Sequence, residues 1–477
     1  VVLVVLFICC CGPVGAQTVV SVDPDQNSHA ASVDSDIAAE LDGEPASPDT
    51  TNFVAHGQLQ GLISGAYGVD SNRIVLDPAS DLLAGELIST TVTAGMLSGG
   101  TPVEPFVWQF RTATSLSPLA LVDSRQSLGP NDSYYHATGD VDGDGDVDLI
   151  LPDYSAGFLV FLNDSHGTFT DSGQLLGVPF PYAAAVGDVD GDGDQDLFLC
   201  SYTAGDSVWI NDGSGTFTDS GQSLASGYSV DVRLADLDGD GDLDAYVKDQ
   251  SGADTVWFND GSGIFTDSGQ SLDANPSNAF DLGDIDGDGD LDLFTGGFVY
   301  GPPDFVYIND GTGMFSIRNV PYGAEWSAAV RFGDLDNDGD LDVFVANYQA
   351  GNRVWLNSGN GLLSDSGQSI GGAGDSLDLE LGDVDGDGDL DAVVGNKYTT
   401  NKVWLNDGAA TFSDSGLSFP VSAGYLLGVV DLNGDGVLDL LMLNEAGPNS
   451  VWLNMGILVF NDGFESGDLS RWSESAP

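Results

Sequence analysis

The chain repeats itself every 48 to 50 residues, and each repeat carries the same nine-residue acidic loop. The first copy is DVDGDGDVD, Asp140 to Asp148, with five carboxylates in nine residues. The first Asp of successive copies falls at 140, 188, 236, 284, 334, 383 and 431. Two other markers keep the same beat. VFLNDS at 160–165 returns as VWINDG (208), VWFNDG (256), VYINDG (306), VWLNSG (354), VWLNDG (403) and VWLNMG (451). FTDSGQ stands at 169, 217 and 265, with LSDSGQ at 363 and FSDSGL at 412; FSIRNV takes its place between the fourth and fifth loops. A fixed period of this length means that one small unit is stacked on copies of itself.

Each period predicts four short strands. In 228–270, YSVDVRLAD alternates apolar and polar residues, the acidic loop follows, LDAYV is β-rich, DTVWFND ends at the turn signal Asn259-Asp260-Gly261, and GIFTDSG is the fourth run. No stretch carries a 3.6-residue apolar stripe, so the expected class is all-β. Four strands in a period near 48 mark a β-propeller blade. Seven copies predict a seven-bladed β-propeller over about 115–461. Two segments compete to close the ring. LALVDSRQSLG (119–129) matches the fourth-strand pattern ahead of the first loop, and ILVFNDG (457–463) follows the last repeat.

Residues 18–114 lack the period. Short β-rich runs at Val19-Val20, Phe53-Val54, Arg73–Leu76, Ile88–Thr93 and Val107–Phe110 are separated by Gly, Pro and Asp turns, which predicts a β-sandwich. VVSVDP, NRIVLDP…LLAGELISTTVTAGML and PFVWQFRT in this region resemble the bacterial Ig-like domains of surface proteins. SLSPL (115–119) is the expected linker, and DGFESGDLSRWSESAP (462–477) a C-terminal tail without an assigned role.

Charge narrows the partners. The chain has 75 acidic and 11 basic residues, a formal net charge of −64. Nucleic acid needs clustered Lys and Arg and is excluded as a partner; an anionic membrane surface is disfavoured for the same reason. Acidic chains are often disordered, but 42% hydrophobic and 9% aromatic residues supply a large core. VVLVVLFICCCGPVGA (1–16) reads as a secretory signal, its start truncated, with a small-residue cleavage site before Gln17. Its apolar run is too short for a bilayer, which takes roughly 20 residues, and no transmembrane segment is expected in the mature chain. After cleavage only Cys200 remains, within LFLC, so no disulfide is expected and something else must hold an exported chain together.

The loops are the expected staples. Loop 1 offers Asp140, Asp142, Asp144, Asp146 and Asp148; loop 2 offers Asp188, Asp190, Asp192, Asp194 and Asp196. Loop 3 has Asp236, Asp238, Asp240, Asp242 and Asp244, and loop 4 Asp284, Asp286, Asp288, Asp290 and Asp292. Loop 5 has Asp334, Asp336, Asp338, Asp340 and Asp342; loop 6 has Asp383, Asp385, Asp387, Asp389 and Asp391. Loop 7 departs, with Asp431, Asn433, Asp435, Val437 and Asp439. Hard oxygens crowded on one tight turn are what Ca²⁺ takes, six to eight in all. Positions 1, 3, 5 and 9 would give side-chain oxygens. Position 7 would give its backbone carbonyl, since Val437 has no ligating side chain. Gly at position 6 permits the sharp turn. Position 2 is apolar in every loop and position 8 usually Leu, which should pin the loop to the core. One such loop alone would read as a solvated acidic turn; seven at this spacing read as about seven Ca²⁺ sites. Magnesium would keep more water. Five loop Asp in each of six loops and three in the seventh make thirty-three of the 75 acidic residues, and seven divalent ions would cancel 14 charges, taking −64 to −50. Loop 7, where Asn433 keeps an oxygen at position 3 but removes one ligand charge, should be among the weaker sites.

The GD-DGDGDLDLF…VWLNDG pattern resembles the FG-GAP/VCBS repeats, calcium-loop propellers also found in integrin α-subunits, over about 345 residues. That resemblance implies a seven-bladed propeller with each calcium loop joining the first two strands of a blade.

Catalytic patterns are missing. His29, His56, His136 and His166 lie in no metal or triad motif, and no nucleophile elbow, zinc-protease or phosphate-loop motif occurs. The ladder Trp209, Trp257, Trp355, Trp404 and Trp452, with Phe161 and Tyr307 in its gaps, predicts packing between blades. Tyr134-Tyr135, Tyr182, Tyr228, Trp326 and Tyr425 are better ligand candidates. The expected function is a secreted, monomeric, non-catalytic calcium-binding protein of the cell surface or matrix, engaging an extracellular glycan or protein. The alternatives are a lectin-like or polysaccharide-degrading protein and a purely structural module.

Overall fold

Valine, leucine and aromatic residues alternate with small polar ones through every repeat, and the described residues form strands without any helix. A computed structural model describes residues 17–455 apart from 99, 118, 130–134, 225–226, 273–278, 298–302, 324, 373, 420–425 and 445–446. The signal segment 1–16, the rival closing strand 457–463, the tail 462–477, Tyr134 and Tyr425 lie outside the described residues.

Repeat 3 shows the unit. Ser229–Ala235, Asp244–Asp249, Thr255–Asn259 and Phe265–Asp267 pair antiparallel in chain order. Ala235 faces Asp244 across the acidic loop, and Ala245 faces Trp257, which in turn faces Asp267. Seven four-stranded sheets of this kind follow one another among the described residues, an arrangement that fits a β-propeller. The outer strand of the last sheet is Leu121–Asp123, which pairs with Ser450–Asn454 through Val122 and Leu453. A strand from ahead of the first repeat therefore completes the last one.

Burial explains the stacking. Seven clusters of buried apolar side chains each bridge two neighbouring sheets. Phe158 and Val160 of repeat 1 pack with Leu197 and Leu199 of repeat 2; Leu432, Leu441 and Val451 of repeat 7 pack with Leu149 and Leu151 of repeat 1. The Trp ladder lies half-buried in these seams, with Trp209, Trp257, Trp355, Trp404 and Trp452 each against a different cluster. One sheet alone would leave one face wet, so each repeat depends on its neighbours.

Two sequence markers stitch the seams. The Asn of each VWLNDG-type motif donates its side-chain amide to the position 2 carbonyl of the preceding loop at 2.7–3.1 Å, from Asn211 on Val141 round to Asn163 on Leu432. The Gln of DSGQ clamps the next repeat with both amide atoms: Gln222 donates to the Gly263 carbonyl at 2.6 Å and accepts from the Phe265 N–H at 3.0 Å. Gln126, just after the closing strand, makes the same clamp on Gly167 and Phe169. Where FSIRNV replaces the motif, Arg318 donates to the Asn360 carbonyl at 2.6 Å. Replacing Asn211 by Ala should strand the buried carbonyls of Val141 and Gln195. The expected loss is about 2–4 kcal/mol of unfolding free energy, read by urea denaturation.

Residues 17–113 form two further four-stranded antiparallel sheets. Val19–Asp23, Ile37–Leu41, Arg73–Pro78 and Gly65–Asp70 make one; Phe106–Arg111, Leu87–Val92, Phe53–Gly57 and Gly61–Leu62 make the other. Ile37, Leu41, Ile74 and Leu76 of the first share one core with Phe53, Ile88, Trp108 and Phe110 of the second, so the two sheets pack face to face as a sandwich.

Candidate metal centres

Each acidic loop joins the first and second strands of its sheet and is pinned by its apolar positions. The seven position 2 side chains, from Val141 to Leu432, are fully buried. Position 8 is buried too, including the polar Gln195 of loop 2, whose amide reaches the Leu59 carbonyl. Between the pins, the loop folds over its own carboxylates. Asp140 accepts from the N–H groups of Gly143 at 2.9 Å, Asp144 at 3.1 Å and Gly145 at 3.0 Å. Gly145 sits at φ 93°, where a side chain would be strained. Asp148 accepts from the Val141 N–H at 3.0 Å and from the Asn163 N–H at 2.8 Å. The same two donors hold position 9 in the other loops, as at Asp244 and Asp439.

These bonds gather three carboxylates. Oxygens of Asp140, Asp142 and Asp148 lie within 4.8 Å of one another, as do those of Asp188, Asp190 and Asp196, of Asp284, Asp286 and Asp292, and of Asp334, Asp336 and Asp342. In loop 3 the trio is Asp236, Asp238 and Asp240. Position 5 side chains accept the position 7 N–H in all seven loops, at 3.0–3.2 Å. Position 7 turns away: a Cβ on Gly213 of the VWINDG turn would stand 2.4 Å from Asp194 Oδ2, so that carboxylate lies on the turn rather than in the cluster.

The clusters are electrostatically unsatisfied. Burial raises the position 9 carboxyls to about 7 in Asp148, Asp196 and Asp439, about 8 in Asp342 and Asp391, and about 9 in Asp244 and Asp292, with repulsion from neighbouring Asp adding to it. Position 1 moves the same way for the same cause, to about 6 in Asp188 and about 7 in Asp236. Asp142, Asp238, Asp286 and Asp336, all at position 3, each keep a buried Oδ1 with no hydrogen-bond partner. Orphaned buried oxygens beside other carboxylates suit a divalent cation, which satisfies the oxygens and removes the repulsion together. Positions 1 and 3, joined by position 9 in loops 1, 2, 4 and 5 and by position 5 in loop 3, are therefore the side chains the fold brings together that could hold a metal.

The sandwich rests on these loops, which the sequence did not foreshadow. Thr91 Oγ1 donates to Asp236 at 2.6 Å, Thr114 Oγ1 to Asp383 at 2.7 Å, and Gln26 to Asp284, all at position 1. The Val107 N–H meets the Gly289 carbonyl at 2.6 Å, the Ser115 N–H the Gly436 carbonyl at 2.6 Å, and the Asp140 N–H the Leu59 carbonyl at 2.8 Å. Loops 3 and 4 are thereby the most deeply covered, which is why Asp244 and Asp292 carry the largest shifts.

At the other end of the first strands the aromatic candidates meet. Tyr135, Tyr182, Tyr202 and Tyr228 form a chain with ring centroids 5.4, 5.6 and 4.8 Å apart, and Tyr228 is 43% exposed. Trp326 stands apart, edge-on to Tyr348 at 4.6 Å. Tyr202 directly follows a second strand, Asp196–Ser201; Tyr154 and Tyr348 hold the same place after their loops, a recurrence that the candidates chosen from the sequence passed over.

Comparison with known proteins adds a family. Residues 140–199, 188–247, 298–345, 334–394 and 383–442 match the family described as FG-GAP-like repeat; merged, these stretches cover more than half of the chain. No curated protein matches the sequence. Among solved structures, BBS1N in complex with ARL6DN is 12% identical over 72% of this chain and 97% of its own, with a TM-score of 0.49. The computationally designed Ika8 protein is 14% identical over 84% and 99%, at 0.43. A protein from Lactobacillus plantarum is 16% identical over 79% and 98%, at 0.41.

Proposed function

Because the chain belongs to the FG-GAP-like repeat family, we propose that it is a non-catalytic ligand-binding protein built as a seven-bladed propeller held by calcium. In this reading residues 18–114 are an Ig-like domain, 115–461 the propeller and 1–16 a secretory signal, placing the mature protein outside the cell. Each loop would hold one Ca²⁺ through side-chain oxygens at positions 1, 3, 5 and 9 and the carbonyl of position 7. The observation that carries the metal is the orphaned position 3 oxygen inside each of four buried carboxylate clusters. Calcium supplies charge neutralisation and takes no part in a reaction. Loop 7 has Asn433 in place of one carboxylate and would be weaker; loops 3 and 4, beneath the sandwich, would exchange their ions slowest. No helix among the described residues is long and apolar enough to cross a membrane.

The tyrosine chain supports the ligand-binding half. Aromatic faces stack on the C–H faces of sugars and on apolar side chains of protein partners, and these rings lie at the end of the strands away from the sandwich. Glycan-array binding and a polysaccharide hydrolysis screen, each with and without chelator, test the reading. Calcium-dependent binding without product release is expected. Release of soluble sugar would overturn the non-catalytic assignment, and no binding to glycans or matrix proteins would leave a structural module.

A further inference from the structure

The seven first strands enclose an axial cavity of about 340 Å³, within the range of small-molecule sites. One residue stands three positions before the first Asp of every loop, and all seven of these residues line the cavity. In repeats 3 to 6 they are Arg233, Asp281, Arg331 and Glu380, alternating in sign round the wall; in repeats 7, 1 and 2 they are Gly428, Ala137 and Ala185. The ring is thus half charged and half small. His136 Nε2 occupies the space a Cβ on Gly428 would need, 2.5 Å from it, which leaves the room beside Ala137 and Ala185. Arg111 enters from the sandwich, which closes the loop-side end of the cavity.

The charged wall is not used up by its own pairs. Arg331 is held by both oxygens of Glu380. Arg233 gives one nitrogen to Asp231 at 2.9 Å and to the Val232 carbonyl at 3.1 Å, and among the described residues the Arg111 side chain makes a single long hydrogen bond, 3.4 Å to the Gly85 carbonyl. Asp281 takes a backbone N–H from Phe332 at 2.8 Å and has oxygen capacity to spare. Beside the ring, Asp231 and Asp378 line the same cavity, so Arg111, Arg233 and Arg331 stand among Asp231, Asp281, Asp378 and Glu380, and a charged ligand of either sign would meet like charges on this wall. A hydroxyl both donates and accepts, so a ligand with several hydroxyls can use Arg and carboxylate neighbours at once, with its C–H face against the alanines.

We propose that the axial cavity binds one small, uncharged polyhydroxylated molecule of monosaccharide size, entering from the Tyr135 end and contacting Arg111, Arg233 and Asp281. This goes beyond the surface reading above and borrows from it only the closed ring of seven sheets.

The test is calorimetric titration of the full calcium-loaded chain with D-glucose, D-galactose, D-mannose and N-acetyl-D-glucosamine, up to about 10 mM, with D-glucuronate and D-glucosamine as charged comparators. The expected result is saturable one-to-one binding of at least one neutral sugar. Ala185→Trp, which fills the cavity, should abolish it, and Arg233→Met should weaken it at least tenfold; Ala137→Met replaces the first variant if that does not fold. Melting with and without calcium is recorded for each protein, so failure of the metal reading is seen separately from failure of the cavity. Absence of binding by all four neutral sugars, binding that survives a folded cavity-filling variant, or tighter binding of either charged sugar would overturn the proposal.

Discussion

Stripping divalent ions from the protein should lower its melting temperature by roughly 27 °C. An ion at a hundredfold excess over its dissociation constant contributes about 2.7 kcal/mol to the folded state. Seven such contributions act on a repeat region of some 340 residues, whose unfolding entropy is about 2 cal/mol/K per residue. The effect should be larger than simple mass action, because the stripped loops keep their carboxylates buried. Asp244 and Asp292 face neighbouring Asp in sites raised to about 9, and the same loops carry the contacts of Thr91 and Gln26 from the sandwich. Scanning calorimetry in millimolar calcium and in excess chelator measures the shift. Identical melting in the two conditions would count against every metal assignment made above.

The pH dependence of stability should reverse sign with metal. In the metal-free protein, the position 9 carboxyls are raised in the folded state from 3.8 to about 7–9. The folded chain then binds more protons than the unfolded chain between about pH 4 and pH 9, so stability falls as pH rises through that window. With calcium bound, protons compete with the ion for the same oxygens, and stability should rise from about pH 5 to pH 7. Melting temperatures across this range, with and without calcium, would show two curves of opposite slope. Parallel curves would mean that the raised carboxyls are not the groups the metal occupies.

Much of this arrangement was legible because the repeat forces it. Seven loops at one spacing fix where each sheet turns, and the period fixes four strands per unit. The Asn of VWLNDG could be read as a turn residue, but its amide reaches 70 residues back to the preceding loop, as Asn211 does to Val141, and local pattern does not register such a reach. The closing strand had two candidates, 119–129 by its match to the fourth-strand pattern and 457–463 by its place after the last repeat, and pairing with Ser450–Asn454 selects Leu121–Asp123. Within the sandwich, Ile37–Leu41 and Gly65–Asp70 escaped notice; alanine and glycine are poor strand formers that tertiary packing overrides. The seating of Thr91 on Asp236 joins segments with no shared motif. The axial ring of Arg233, Asp281, Arg331 and Glu380 hid for the opposite reason: it sits at one register position yet changes charge from each of these repeats to the next, so repetition masks it.

The proposed function makes the clustered aspartates tolerable through cations seated among them. Equilibrium dialysis of the purified full chain against calcium, with the bound metal counted by atomic absorption, reads this directly. The prediction is uptake approaching seven ions per chain, with the last to fill at the Asn433 loop. A chain that stays folded and takes up no calcium would contradict it.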